Sequence, residues 1–341
     1  MGDYLVVRTD KIGDLVLSLP VAEALKETHP GAGVTFMVSP ATAELARACP
    51  FVDRVIEYDE TGRNPAAALK AASAIRSLRP EAVVFLRPTL RTALGAALAG
   101  VPVRVGTAYR FYSALFTTRV REHRRSAARH EIAYNLSLVE ALAPLKRRDY
   151  LPGIVLPESA KAYARAALSE RGLAPGAFVA MHPGSARSAR NLPLEGYAHL
   201  ADIIERDLGI RVLVTAGAQE ASLVRRINHL RKSQSISLVG APGLLELAAV
   251  ISEARLFLSG STGPMHLAGA VGTPTLSFFS PVRSCSPRRW QPVGQHKRVI
   301  LPPVPECPTC INEKCGYFDC MTRIEIGTIV EGVKDLLRDG R

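Results

Sequence analysis

The run Ser259-Gly260-Ser261-Thr262-Gly263-Pro264-Met265-His266-Leu267-Ala268-Gly269-Ala270 joins a short apolar strand, residues 254–258, to an apolar helix. Small residues at such a turn let the backbone approach a ligand closely, and the first helical amides, from Gly263 onward, have no partner inside the helix. Those donors, the positive end of the helix dipole and the Thr262 hydroxyl suit a phosphate or pyrophosphate; an ordinary capped helix is the alternative. Pro264 fits the first turn, where its missing N–H costs nothing. Three further stretches carry chemistry. Gly13-Asp14 lies where the first strand turns into the first helix, and its carboxylate can cap free amides or act as a general base. The loop from His182-Pro183-Gly184-Ser185 to Pro193 combines small residues with Arg187 and Arg190, two cations for a negative ligand. Gly217-Ala218-Gln219-Glu220 sets a carboxylate after another strand, where it can accept from ribose hydroxyls or start a solvated helix.

Four of the six cysteines fall in one short stretch, Cys307-x-x-Cys310-x4-Cys315-x4-Cys320. Tetrahedral thiolate ligation of a structural zinc or iron is expected there, with reduced metal-free thiols and disulfides as the other two states. The spacing is that of no standard zinc ribbon. No Asp-x-Asp motif is present to hold a divalent metal against a pyrophosphate, and His130-Glu131 has no second His four positions on, so it reads as a helix start.

Composition narrows the partners. The chain of 341 residues carries 43 basic and 31 acidic residues, a net charge of +12, with Arg far outnumbering Lys. Guanidinium groups favour carboxylates and phosphates, so an anionic partner is expected, although a codon preference for Arg would give the same count. The densest cluster, residues 119–125, contains Glu122 and no interleaved aromatics, which points to a membrane surface or acidic acceptor and away from nucleic acid. No run approaches the roughly 18 apolar residues of a membrane span; residues 93–103 are interrupted by Gly95, Gly100 and Pro102. The N-terminal residues enter a strand directly without a signal-peptide pattern, so a cytoplasmic location is expected.

These residues must be held by an alternating strand and helix framework. Strands are expected at residues 4–8, 34–38, 54–58, 82–86 and 103–106, with helices from about 14 with a restart at Pro20, and over 42–48, 65–78, 89–98 and 127–142. A Pro-rich and charged break at 143–153 serves as the linker. Beyond it, helices at 159–171, 194–207, 221–231 and 244–252 alternate with strands at 178–181, 211–215, 235–239 and 254–258, and a strand at 275–279 closes the sheet. The expected division is 1–152, 153–320 and a terminal segment 321–341 whose helix returns to the first half. Two doubly wound domains of this kind carry their ligands at the carboxyl ends of the strands, facing a central cleft.

Taken together, Arg8-x-Asp10-x-x-Gly13-Asp14, the helix through Pro20, His182-Pro183-Gly184-Ser185 with Arg190-x-x-Pro193, Gly217-x-x-Glu220 and Ser261-Thr262-Gly263-Pro264-Met265-His266-Leu267 resemble glycosyltransferase family 9, the ADP-heptose:lipopolysaccharide heptosyltransferases. The motifs keep the family's order from residue 4 to about residue 321. The resemblance implies a GT-B fold, two Rossmann-like domains with the acceptor bound mainly by the first and the donor by the second. It implies inverting transfer of a heptose from ADP-heptose to the lipopolysaccharide inner core, an anionic lipid-linked glycan, at the inner membrane surface and without a catalytic metal. Asp14 would take the acceptor proton, and Arg190, where the family usually has Lys, would neutralise the departing ADP. Gly184, Ser185, Glu220, Ser261, Thr262, Gly263 and His266 would bind the donor; Asp10, Lys11, Arg87 and Arg91 would meet the acceptor. Similar cysteine clusters occur near the C-terminus of many members. Two departures stand out: Ser261 replaces the usual Asp and Leu192 the usual Trp. They leave open a different nucleotide sugar or acceptor, or a silent nucleotide-sugar-binding protein. An NAD-dependent dehydrogenase fits less well, because residues 8–13 lack Gly-x-Gly-x-x-Gly.

Overall fold

The computed structural model describes residues 2–60, 67–185, 189–233 and 235–339. The chain forms two compact units, Met1–Arg124 with Arg129–Val155, and Arg125–Ala128 with Leu156–Arg341.

The first unit runs β1 (Asp3–Arg8), α1 (Ile12–Val16), α2 (Pro20–Thr28), β2 (Gly33–Val38), α3 (Ala43–Arg47), β3 (Arg54–Glu57), α4 (Ala67–Leu78), β4 (Ala82–Phe85), α5 (Leu90–Leu98), β5 (Val103–Thr107), β6 (Thr118–Val120) and α6 (Glu131–Glu140). Its six strands are parallel in the order β3-β2-β1-β4-β5-β6. Leu5, Val7, Val83 and Phe85 pack with Ala71, Ile75, Ala93 and Ala96 of α4 and α5. By the two-residue period of a strand, Val6 and Val84 face the other side, where α6 packs on α2 and β4. A sheet covered on both faces needs strands with apolar interiors, which β1 has over residues 4–7 and β4 along its whole length.

The second unit runs α7 (Glu158–Ser169), β7 (Phe178–His182), α8 (Leu194–Leu208), β8 (Arg211–Ala216), α9 (Ala221–Leu230), β9 (Ile236–Val239), α10 (Leu244–Ser252), β10 (Leu256–Gly260), α11 (Gly263–Ala270), β11 (Thr275–Phe278), α12 (Pro287–Trp290), β12 (Lys297–Ile300) and α13 (Ile326–Asp339). Its parallel sheet has the order β12-β11-β10-β7-β8-β9. Counted within the unit this is again 3-2-1-4-5-6, the doubly wound order. Helices α8, α9 and α13 cover one face and α7, α10 and α11 the other. The architecture is therefore the two-domain α/β arrangement expected from the alternation.

The expected restart at Pro20 is observed, because Pro20 has no N–H to continue the ladder and instead opens α2 at its N-terminus. Three expectations need correction. The helix expected from residue 127 begins at Glu131, where the His130 side chain accepts from the Ile132 amide. The second sheet is closed by β12 and not by the strand at 275–279, and β6 was missed within the basic cluster. The terminal helix, expected to return to the first half, is built into the second: Ile329, Val333, Leu336 and Leu337 enter the core beside Leu276 and Phe278, which uses up its apolar face. The start of the helix expected over 65–78 lies outside the described residues. None of the described helices is long and apolar enough to cross a membrane.

Candidate active site

In a doubly wound sheet the strand order reverses between the first strand and the fourth, and the crevice at their carboxyl ends is where ligands sit. In the first unit that position is the end of β1. Arg8 is its last residue, almost wholly buried, and its guanidinium divides among three carboxylates. Nε donates to Asp10 at 2.7 Å, Nη1 to Glu131 at 3.1 Å, and Nη2 pairs with Asp14. Burial opposes the charge on Arg8, but Asp10, Asp14 and Glu131 outweigh it and hold its pKa above the ordinary arginine value. Burial pushes Asp10 up, and Arg8 pulls it back only in part. Asp14 stays partly exposed on α1, and its main-chain carbonyl accepts from Ser18 Oγ at 2.7 Å.

Asp10 also lies 3.5 Å from Arg87 Nε. Arg87 and Arg91 both meet Glu60: Arg87 Nη1 reaches its carboxylate at 3.2 Å and Arg91 Nη1 its carbonyl at 2.9 Å, while Thr89 Oγ1 donates to it at 2.7 Å. Asp10, Asp14, Arg87 and Arg91 are thus joined in one network, and Lys11 caps α1 from an exposed position. The basic cluster is less of a surface than its sequence implies. Arg124 donates to Glu131 at 2.7 Å, and Arg129 pairs with Glu122 and lies over the Tyr134 ring; Arg119, Arg121 and Arg125 are exposed.

In the second unit the reversal lies between β7 and β10. His182, the last residue of β7, is buried, with Nδ1 3.0 Å from Thr215 Oγ1 and Nε2 3.7 Å from Glu220. Burial pulls its pKa from 6.5 down to about 4, against the opposing effect of Glu220. The Glu220 carboxylate accepts from the Gly217 amide at 3.1 Å and lies where a Cβ on Gly184 would be, so a side chain there would push the carboxylate aside. Ser185 follows at the edge of the described residues, and Arg187 lies outside them.

Thr262 is the N-cap of α11, yet it makes no side-chain capping bond, and its buried Oγ1 has no hydrogen-bond partner among the described residues. Ser261 and Gly263 flank it half-buried, and His266 lies buried one turn on, edge-on to Trp290 at 6.4 Å between ring centres. Asn191 is the residue that sequence reasoning passed over. Its Nδ2 donates to the Pro183 carbonyl at 2.9 Å, its Oδ1 accepts from Tyr197 Oη at 2.8 Å, and a Cβ on Gly260 would collide with it. It therefore ties the loop after β7 to the end of β10.

Arg190 is held elsewhere. Its Nη1 pairs with Asp319 at 2.6 Å, its Nε donates to Cys310 Sγ at 3.2 Å, and its guanidinium lies over Phe318. Cys307, Cys310, Cys315 and Cys320 line one pocket with it, but among the described residues no group of three or more His, Cys, Asp or Glu is arranged to hold a metal ion. The expected zinc or iron centre is therefore not supported by these side chains. Cys310 meets Arg190 and Asn312, and burial with neighbouring sulfurs raises Cys307. Burial likewise raises Cys320.

Comparison with known proteins bears on the family and the fold. Residues 69–317 match the model of Glycosyltransferase family 9 (heptosyltransferase). A Haemophilus influenzae relative described as a glycosyltransferase is 29% identical over 301 residues, covering 86% of this chain and 87% of its own. A Veillonella parvula glycosyl transferase family 9 structure superposes with a TM-score of 0.86 at 22% identity, covering 99% of this chain and 98% of the other. The E. coli ADP-heptose LPS heptosyltransferase II does so with a TM-score of 0.79 at 21% identity, covering 99% of both. These two structures share the GT-B fold with the chain. With the family match spanning most of its length, the chain belongs to glycosyltransferase family 9 and is a glycosyltransferase.

Proposed function

We propose that the enzyme transfers a heptose from ADP-heptose to an anionic, lipid-linked acceptor of the lipopolysaccharide inner core, at the cytoplasmic surface of the inner membrane. Asp14 carries this reading: a partly exposed carboxylate at the carboxyl end of β1, fixed by an arginine that is itself buried and triply paired. Asp14 takes the proton of the acceptor hydroxyl as that oxygen bonds to the anomeric carbon; the bond from that carbon to the ADP oxygen breaks, and the configuration inverts. The first half of the chain, through the linker at 143–153, holds the acceptor, with Arg87, Arg91 and the exposed arginines around residue 119 facing its phosphates or carboxylates and Asp10 and Lys11 beside them. The second half holds the donor.

The amides at the head of α11 and the unpartnered Thr262 hydroxyl receive the pyrophosphate, Glu220 the ribose, and Gly184, Ser185, Ser261, Gly263 and His266 complete the site. Arg190, which pairs with Asp319, turns from that partner toward the donor in this reading and supplies the positive charge that stabilises ADP as it leaves, without a metal. Ser261 is the feature that favours a second reading, transfer of another nucleotide-activated sugar by the same site.

Asp14→Asn separates the roles. Transfer falls by about 10²–10⁴-fold, the usual contribution of a general base, while ADP-heptose still raises the melting temperature as in the wild type. Activity within a few-fold of wild type removes Asp14 from the mechanism. In the same unfolding assay a preference for UDP- or GDP-linked sugars over ADP and ADP-heptose overturns the donor and keeps the fold.

A further inference from the structure

Two buried polar residues on α6 converge on the first helical turn from opposite sides of Asp14. Glu131 is completely buried and accepts from Arg8 Nη1 at 3.1 Å and Arg124 Nη1 at 2.7 Å. One turn further along, Asn135, also completely buried, donates through Nδ2 to the Leu17 carbonyl at 3.0 Å and to Ser18 Oγ at 3.2 Å. Residues four apart share a helix face, so Glu131 meets the end of β1 and Asn135 the junction of α1 and α2, on either side of Asp14 in the chain. Glu131 reaches the Asp14 side chain through Arg8, and Asn135 reaches the Asp14 main chain through Ser18, whose Oγ donates to the Asp14 carbonyl at 2.7 Å.

We infer that Glu131 and Asn135 are positioning residues for Asp14: α6 fixes the carboxylate by a guanidinium on one side and its backbone by a hydroxyl on the other. The inference rests on the reading of Asp14 as the base. Stability alone is a poor reason for this arrangement, because a buried ion network loses hydration that an apolar cluster of the same volume would not. Geometry is a better one. Arg8 presents three nitrogens to three carboxylates, so each carboxylate sets the plane in which the guanidinium meets the other two. With Glu131 neutral, Nη1 keeps only an uncharged acceptor, and the fork is free to turn toward the remaining charged pair, carrying Asp14 with it. A displacement of about 1 Å at a reacting group costs on the order of 100-fold in rate.

The test is a cycle of Glu131→Gln, Asp14→Asn and the double variant, with kcat and donor KM measured per donor-binding site. Glu131→Gln should lower kcat by about 10–100-fold with donor KM within about twofold, and Glu131→Asp, which keeps the charge, should recover part of the loss. In the Asp14→Asn background the same change should cost less than about twofold, because the group being positioned is gone. Wild-type kcat in Glu131→Gln beside an inactive Asp14→Asn overturns the positioning role and leaves the base intact. Near-wild-type activity in Asp14→Asn overturns the base reading and the inference with it. Should Glu131→Gln fail to fold, Ser18→Ala removes the backbone restraint and leaves the ion pairs. A kcat lowered several-fold at constant donor KM supports the inference, and an unchanged kcat overturns it.

Discussion

His182 ends β7 with its imidazole sealed from solvent, and burial holds its pKa near 4 against the ordinary 6.5 while Glu220 pulls the other way. The folded-state pKa lies below the unfolded one, so the unfolded chain binds this proton first. Stability linked to His182 is therefore complete above about pH 6.5 and is lost as the pH falls toward about 4, at up to about 1.4 kcal/mol per pH unit. In denaturant titrations across that range, His182→Asn, which keeps a polar atom facing Thr215, should flatten this part of the pH dependence. An unchanged slope would place the titration elsewhere. The residues that organise the site at this scale were only partly legible in the sequence. Asp14, Glu220 and Thr262 stand at strand-to-helix turns, where local pattern marks them. Asp319 is marked by nothing local, and Glu131 only as a helix start near Arg124, because Arg190 and Arg8 lie 129 and 123 residues away from them in the chain.

The elements place those turns by ordinary packing. Gly95 lies on α5 against α4, where an added Cβ would meet Ala71 Cβ at 2.7 Å and the Ala68 carbonyl at 3.1 Å. One of those atoms is main chain and cannot turn aside, so Gly95→Ala should force the two helices apart and cost the first unit about 1–3 kcal/mol. Chemical denaturation checks this, and a stability equal to wild type would mean that the helices shift freely. At this scale the long apolar strands and the Ala-rich helices were readable, since β1, β4, β7 and β10 are buried on both faces and their composition says so. The sheet edges were not. In β6 only three residues pair, Thr118-Arg119-Val120, and β12 presents Lys297 and Arg298 before its apolar end, so neither carries a period long enough to detect. The terminal helix was found, but its partner was not, because an amphipathic stripe records that a face is buried and not against what.

At the scale of the whole molecule, two sheets with the same 3-2-1-4-5-6 order are put to different uses: one ends in a lattice of charge, the other in small residues, free amides and a hydroxyl. That hydroxyl sets two demands on the chain against each other. A buried donor left without a partner costs about 1–3 kcal/mol, and Thr262 Oγ1 has none among the described residues, so in the proposed reading the enzyme without nucleotide carries such a loss. Thr262→Val keeps the shape and removes the group. It should melt at a higher temperature than wild type when empty and gain less from saturating ADP, so that the two melting curves change order as nucleotide is added. An empty variant no more stable than wild type would show that the hydroxyl is already satisfied. Selection for heat resistance alone would then accept this change and discard part of the proposed nucleotide site, whereas selection for turnover would retain a threonine that makes the resting protein weaker. A stabilised catalyst of this kind has to be screened with nucleotide present.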